Sequence, residues 1–167
     1  MSKKYKLIFA ILALATAVAS LAEEKAAVKE EPAPPTLPAP AKRFLDFYSA
    51  GQLSFAIDPD SISIQPGADQ EVRYTLRAIS KQGAVNLSYE GIRCSNRQKI
   101  IYAVGLKDGR WSLVRSPEWS AIYIKGLYIP HGTLANGYFC SVTDVAGKVS
   151  DIVHRIESHK ALNDPSR

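Results

Sequence analysis

Residues 72–94 read VRYTLRAISKQGAVNLSYEGIRC and contain two strands of alternating character on either side of a turn. Apolar and polar side chains alternate in both, as in a sheet that buries one face. The apolar members are Val72, Tyr74, Leu76 and Ala78 in the first strand and Val85, Leu87 and Tyr89 in the second. Between them Ser80–Gly83 offers a four-residue loop with a glycine for positive φ. The stretch therefore predicts an antiparallel hairpin.

One register of this hairpin matches both of its faces, and a slip of one residue would turn every side chain to the wrong face. The predicted pairs are Ile79–Ala84, Ala78–Val85, Leu76–Leu87, Tyr74–Tyr89, Thr75–Ser88 and Arg73–Glu90. Apolar residues meet apolar residues, and Arg73 meets a carboxylate on the polar face.

The alternation changes parity at the end of the second strand. Ile92 and Cys94 are out of phase with Tyr89, so we expect a bulge at Gly91 that returns Cys94 to the core side. Cys94 and Cys140 are the two cysteines of the chain. In an exported protein such a pair predicts a structural disulfide, and the alternative is two free thiols or a redox pair.

A second hairpin is predicted around the two-residue turn Asp108-Gly109, with Lys107 opposite Arg110. In this register one face carries Ile100, Tyr102, Val104, Leu106, Trp111 and Leu113. Shorter strands are expected at 53–57 and 62–64, separated by the turn 58–61. Another is plausible at 122–124, within the long aperiodic stretch 117–139.

The C-terminal part changes to a helical period, with Thr143 or Asp144 as the expected N-cap. The apolar stripe consists of Val145, Val149, Ile152, Val153 and Ile156. The sequence thus predicts an α+β domain, an antiparallel β-meander of about six strands with one C-terminal amphipathic helix packed on the sheet.

The N-terminus has the pattern of an export signal. Three lysines precede an apolar run at 7–18, and small residues precede Glu23. We expect cleavage near Ala22, with an uncleaved anchor as the alternative, and no lipid attachment because Glu23 stands where a lipoprotein needs Cys. Residues 23–41, rich in Pro, Ala and Glu, predict a disordered linker, and 42–167 a single globular domain with a loose tail at 162–167.

The formal charge of +5 is unevenly distributed along the chain. Residues 42–167 contain 16 basic and 12 acidic residues, which leaves the folded part at +4. Such a mild excess, in an exported protein, argues against nucleic acid as the partner. We also expect no membrane span after signal cleavage.

Several segments together resemble the cryptic neisserial protein-like family of small exported bacterial proteins. They are 58–62, 72–74, 88–94, Trp111, 117–119 and 138–140, of which the run YEGIRC at 89–94 is the most specific. The resemblance implies a Gram-negative periplasmic location and supplies no catalytic residue. A looser likeness, to surface-adhesin E-like proteins, suggests binding rather than catalysis.

Few residues in the sequence favour catalysis. His154 and His159 are five apart and do not share a helix face, so we predict neither a metal site nor a cofactor. His131 stands between Pro130 and Gly132, and with Glu118 it is the best candidate for a catalytic site. Ser116 or Ser120 would be the nucleophile, but their spacing does not indicate a triad.

The candidate binding residues are Trp119 and Tyr128 in the aperiodic stretch and Arg73 and Arg77 on the polar face of the first hairpin. Arg93 and Arg97 lie nearby. Such arginines are typical either of a solvated sheet face or of a surface for anionic ligands. We therefore expect a non-enzymatic domain that binds an envelope component or a periplasmic partner protein. The alternative is a hydrolase of envelope polymer near His131 and Glu118.

Overall fold

A computed structural model of the protein describes residues 35–67, 69–126 and 129–164. The predicted signal peptide, its alternative as an anchor, and most of the linker lie outside the described residues. So do Tyr128 and the last three residues of the tail.

An antiparallel meander forms the body of the fold. Its strands are β1 (Leu45–Ala50), β2 (Leu53–Ile64), β3 (Glu71–Ser80), β4 (Val85–Arg93), β5 (Gln98–Gly105) and β6 (Trp111–Leu113). They lie in sequence order, and β7 (Ser120–Ala121) pairs with β5. With helix α2 (Val149–Glu157) at the C-terminus, the predicted α+β class is confirmed. β1 was not predicted. The strand expected at 122–124 is wrong in position, because β7 begins at Ser120 and ends at Ala121.

Both predicted hairpins are present, but both predicted registers are wrong by one residue. Ile79 pairs with Val85 and Gly105 pairs with Trp111. Each loop has three residues and ends in a glycine, Gly83 at φ 84° and Gly109 at φ 81°. Such a loop combines a type I turn with a left-handed residue. The predicted loops were one residue too long in the first hairpin and one too short in the second.

The changed register moves the bulge as well. Ile92 is opposite Val72 without interruption, so no bulge forms at Gly91 in this pairing. The irregularity lies between β4 and β5, where Tyr89 pairs with Ala103 and Glu90 with Ile101. Tyr102 is therefore the unpaired bulge residue of β5. Residues of β5 after Tyr102 do not continue the face that the sequence predicted for them.

Two further strand predictions need correction. The expected strands at 53–57 and 62–64 form one strand, β2, and the turn predicted at 58–61 is an irregularity inside it. The expected N-cap is also wrong, because Asp144 lies in β9 (Asp144–Val145), which pairs with β8 (Cys140–Ser141). Helix α2 begins only at Val149, and the Asp151 carboxylate accepts a hydrogen bond from the backbone N–H of Lys148 at 2.8 Å.

The stretch 117–139, in which no clear period was predicted, is helical from Pro130 to Phe139. α1 (Pro130–Thr133) continues into a π-helical segment, Leu134–Phe139. Leu134 and Phe139 are fully buried. Cys140 follows directly and forms the predicted disulfide with Cys94, at a Cα–Cα distance of 5.4 Å. The bond joins the end of β4 to the helical layer.

The sheet has an apolar cluster on each face. The helical face is covered by α1, the π-helical segment and α2, and its sheet residues include Val72, Tyr74, Leu76, Ile92 and Cys94. The opposite face, here called the aromatic face, is built on Tyr89, Ile100, Tyr102 and Ala103, with Leu37, Trp111 and Trp119 packed against them.

Candidate functional site

A buried carboxylate, Glu90, is the centre of a polar cluster on the helical face. Its Oε2 lies 2.7 Å from His131 Nε2 and accepts a hydrogen bond from the Tyr74 hydroxyl at 3.0 Å. Its Oε1 accepts a hydrogen bond from the Ser88 hydroxyl. Glu90 is 2% exposed. The cluster connects α1 to β3 and β4 through one side chain.

The pKa values of Glu90 and Tyr74 are shifted in opposite directions. Burial raises the pKa of Glu90, but the hydrogen bond and charge of His131, with smaller contributions from Ser88 and Lys99, outweigh burial, and the pKa is lowered below its ordinary value. Burial, followed by the adjacent Glu90 carboxylate, raises the pKa of Tyr74 well above its usual range. At neutral pH Glu90 is therefore ionised and Tyr74 remains a hydrogen-bond donor.

The order of groups in the cluster differs from that of a catalytic triad. In a triad the imidazole lies between the nucleophile and the carboxylate, so that it can take the nucleophile's proton. Here the Glu90 carboxylate lies between the Ser88 hydroxyl and the His131 imidazole. This arrangement orients His131 and does not activate Ser88.

The sequence predicts a site of His131 with Glu118 and places Glu90 on the polar face of the sheet. The structure shows His131 against Glu90, and Glu118 exposed. Ser120, a candidate nucleophile, donates to the Lys99 carbonyl at 3.4 Å on the surface, and Ser116 is also exposed. The predicted pair Arg73–Glu90 is wrong, because the true register places Glu90 opposite Tyr74.

A second carboxylate cluster lies on the aromatic face. Arg73 donates two hydrogen bonds of 3.1 Å to Glu71, one to each oxygen. The Tyr102 hydroxyl donates to the same carboxylate at 2.8 Å, and the guanidinium lies 4.9 Å from the centre of the Tyr102 ring. Burial, then the Glu71 charge, raises the pKa of Tyr102. Arg73 is thus engaged within the domain, with 17% of its side chain exposed.

Gly91 makes room for this cluster. A Cβ at position 91 would lie 2.0 Å from Glu71 Oε1, closer than any van der Waals contact. The glycine in the run YEGIRC therefore allows the Glu71 carboxylate to lie against the strand.

We expect Gly91→Ala to lower the free energy of unfolding by about 2 kcal/mol, because the Glu71 carboxylate must move away from Arg73 and Tyr102. The control is Gly137→Ala, whose added methyl would meet Ala161 at an ordinary 3.5 Å. Urea unfolding followed by circular dichroism measures both. Equal losses in the two variants would contradict the role assigned to Gly91.

The other predicted binding arginines also have partners in the chain. Arg77 lies 4.2 Å from the centre of the Phe44 ring and 3.6 Å from Asp46. Arg93 lies 3.9 Å from the centre of the Trp119 ring. Arg77 and Arg73 do lie on the face away from the first apolar row, as predicted. Arg97 donates hydrogen bonds to Asn136 and to the Val142 carbonyl.

Apolar side chains are exposed on the aromatic face, at the end of the sheet near the two hairpin loops. Val85 and Leu113 are each 55% exposed. Leu87 lies across β5 from Trp111, because a Cβ on Gly105, the residue that pairs with Trp111, would lie 2.7 Å from the Cβ of Leu87. The Tyr89 and Trp111 rings are 6.3 Å apart. The predicted register placed Val85 and Leu87 in the core, which is wrong because the true register turns them to this face.

The described residues contain neither a membrane-spanning helix nor a metal-binding cluster. None of the helices in 35–67, 69–126 and 129–164 is both long and apolar enough to span a membrane. Within the same residues no group of three or more His, Cys, Asp or Glu side chains is arranged to hold a metal ion.

The run YEGIRC at 89–94, which carries the most specific family signal, contributes to both faces of the sheet. Glu90 is the centre of the polar cluster on the helical face, and Tyr89 belongs to the cluster on the aromatic face. A sequence profile of the CNP1-like family matches residues 22–157. The chain belongs to the CNP1-like family. No curated protein sequence and no solved structure matches it significantly. The likeness to surface-adhesin E-like proteins has no support among these comparisons and stays a prediction.

Proposed function

We propose that this CNP1-like chain is an exported protein whose folded domain binds an envelope component or a partner protein, and that it is not an enzyme. The observation that carries the proposal is an apolar band on the aromatic face, formed by exposed Val85 and Leu113 and half-buried Leu87 next to Trp111. Contiguous apolar surface of this kind is typical of interaction sites.

The polar clusters support the same interpretation. The Glu90 carboxylate and the Glu71–Arg73 ion pair use their hydrogen bonds inside the domain. Side chains of this type stabilise the sheet, whereas the apolar side chains of the band face solvent. Binding through the band would remove apolar area from water at about 25 cal/mol per Å².

Export to the periplasm, with cleavage near Ala22, is part of the proposal. Its support is the lysine-rich N-terminus, the apolar run at 7–18 and the Cys94–Cys140 disulfide. Disulfides form and persist in oxidising compartments such as the periplasm.

The capture of partners from a periplasmic extract tests the proposal. We expect the wild-type chain to retain a partner that Val85→Ser/Leu113→Ser loses at least tenfold. Val142→Ser is the matched control, since Val142 is 78% exposed on the separate β8–β9 turn. The mass of the native chain in the same extract should correspond to a start at Glu23. Equal capture by all three proteins, or no capture at all, would contradict the proposed interaction surface.

A hydrolase remains the second candidate because of one observation, the 2.7 Å contact between His131 and Glu90. A histidine held by a carboxylate is a common component of hydrolytic sites. The order hydroxyl–carboxylate–imidazole argues against it here. Release of soluble fragments from peptidoglycan by the wild type, but not by His131→Gln, would reverse the preference.

A further inference from the structure

The described end of the proline-rich linker lies against the aromatic face. Residues 35–41 read PTLPAPA and form neither helix nor strand. Leu37 packs against the cluster of Tyr89, Ile100, Tyr102 and Ala103. Within the predicted linker 23–41, Leu37 and Pro38 have defined contacts with the folded domain.

A directional hydrogen bond fixes the segment on the sheet. The indole N–H of Trp111 donates to the carbonyl oxygen of Pro38 at 3.1 Å. Farther along, Pro40 and Lys42 line an open depression of about 180 Å³ together with Asp58 and Asp60 of β2. In the sheet, β3, β4 and β5 lie between β2 and β6. The segment thus runs across the sheet from Trp111 of β6 towards β2.

This combination has the chemistry of proline-rich peptide recognition. A proline-rich segment has few backbone donors and fixed φ angles, so it exposes its carbonyl groups and loses little entropy on docking. Surfaces that bind such segments offer aromatic rings for packing and side-chain donors for the carbonyls. The aromatic face offers the rings of Tyr89 and Trp111 and the indole donor of Trp111.

We propose that the aromatic face is a binding surface for an extended proline-rich segment of a partner protein. In the free chain its own Leu37–Pro40 occupies this surface and competes with the partner. The inference rests on the proposed binding function and names the class of partner. The class of partner is inferred from the segment that this surface already binds. In that segment Leu37 packs on the rings, and the carbonyl oxygen of the next residue, Pro38, accepts the hydrogen bond from Trp111. The band of Val85, Leu87 and Leu113 would extend the contact beyond the part covered by Leu37.

A peptide titration on the full chain tests this inference, with PTLPAPA as the probe. We expect weak binding to the wild type, because the attached segment competes at a high effective concentration. In Leu37→Ser/Pro38→Ala that competitor is weakened, and the peptide should bind roughly tenfold more tightly or better. The readout is the NMR signal of the Trp111 indole N–H, assigned by its loss in Trp111→Phe.

Three controls decide the outcome. Adding Trp111→Phe to the weakened variant removes the indole signal, so peptide binding is measured there by isothermal titration calorimetry. The affinity for the peptide should fall severalfold, although the ring packing is kept. A peptide with Ser in place of Leu37 and Ala in place of Pro38 should not bind. If PTLPAPA leaves the indole signal of the folded, weakened variant unmoved, the inference is wrong. It is also wrong if the chain forms a dimer that Trp111→Phe dissociates, because the occupant would then be a second copy.

The two proposals can fail separately. Loss of capture in Val85→Ser/Leu113→Ser without any peptide binding would support the interaction surface and reject the proline-rich partner. Peptide binding without capture would support the peptide site and leave the envelope partner without support.

Discussion

Replacing Cys94 and Cys140 together with alanine is expected to lower the free energy of unfolding by about 4 kcal/mol. The two cysteines are separated by 46 residues, and opening a loop of that length releases conformational entropy in the unfolded chain. Both side chains are buried, so lost packing adds to the effect. In a domain of this size such a loss is a large fraction of the total stability.

The structural consequence should be confined to the attachment of the helical layer. The disulfide joins the end of β4 to the residue that follows the π-helical segment, whereas the meander is held by its own hydrogen-bonded pairs. Hydrogen exchange should therefore show faster opening in Leu134–Phe139 and α2 than in β3 and β4. Urea unfolding measures the overall loss.

Reduction of the wild-type chain is the matched control. It should destabilise the domain somewhat less than the double variant does, since it breaks the same bond but keeps both buried sulfur atoms. A loss below 1 kcal/mol in both experiments would show that the disulfide does not constrain the unfolded chain in the way proposed here.

The positions of the hairpins could be predicted from alternation, whereas their registers could not. Register depends on loop length, and both KQG and KDG form three-residue loops that leave glycine in the left-handed region. The predicted loops have four residues in the first hairpin and two in the second. Because side chains alternate with period two, the first error put the side chains of β4 on the wrong face relative to β3. The second error put Val104 on the face of Trp111, whereas Val104 pairs with Ser112.

One signal in the sequence could have corrected the first register. Ile92 and Cys94 share the parity of Glu90, and β4 contains apolar residues in both phases. The predicted register follows the alternation of Tyr89 and therefore needs a bulge at Gly91. Keeping the phase of Cys94, which a structural disulfide requires to be buried, gives the observed pairing of Ile92 with Val72 without a bulge. It would also have placed Glu90 in the core.

The helical segment after Pro130 was missed for a different reason. Gly132, Asn136 and Gly137 are poor helix formers, and local propensity there argues against a helix. Tertiary burial overrides that propensity. The sequence does show a helical stripe in this segment, because two apolar pairs are each four positions apart: Leu134 with Tyr138 and Ala135 with Phe139.

Replacing Glu90 with leucine is expected to lower the free energy of unfolding by about 3 kcal/mol at pH 7. The change removes the acceptor of the buried Tyr74 hydroxyl and the partner of His131 at once. Glu90→Gln is the matched control, because its amide keeps an acceptor oxygen for Tyr74 and is close in volume. We expect Glu90→Gln to lose clearly less than Glu90→Leu.

The comparison of wild type with Glu90→Gln also predicts a pH dependence. The pKa of Glu90 is lowered in the folded domain below its ordinary value of 4.5, so the unfolded state binds the proton more readily. The stability that the ionised carboxylate contributes is therefore fully present above pH 4.5 and is lost as the pH falls through the lower, folded-state pKa. Glutamine has no such titration. Urea unfolding of both proteins between pH 6 and pH 3 should show their difference shrinking only below about pH 4.5. A difference that stays constant down to pH 3 would show that the ionised carboxylate is no better stabilised in the folded domain than in the unfolded chain.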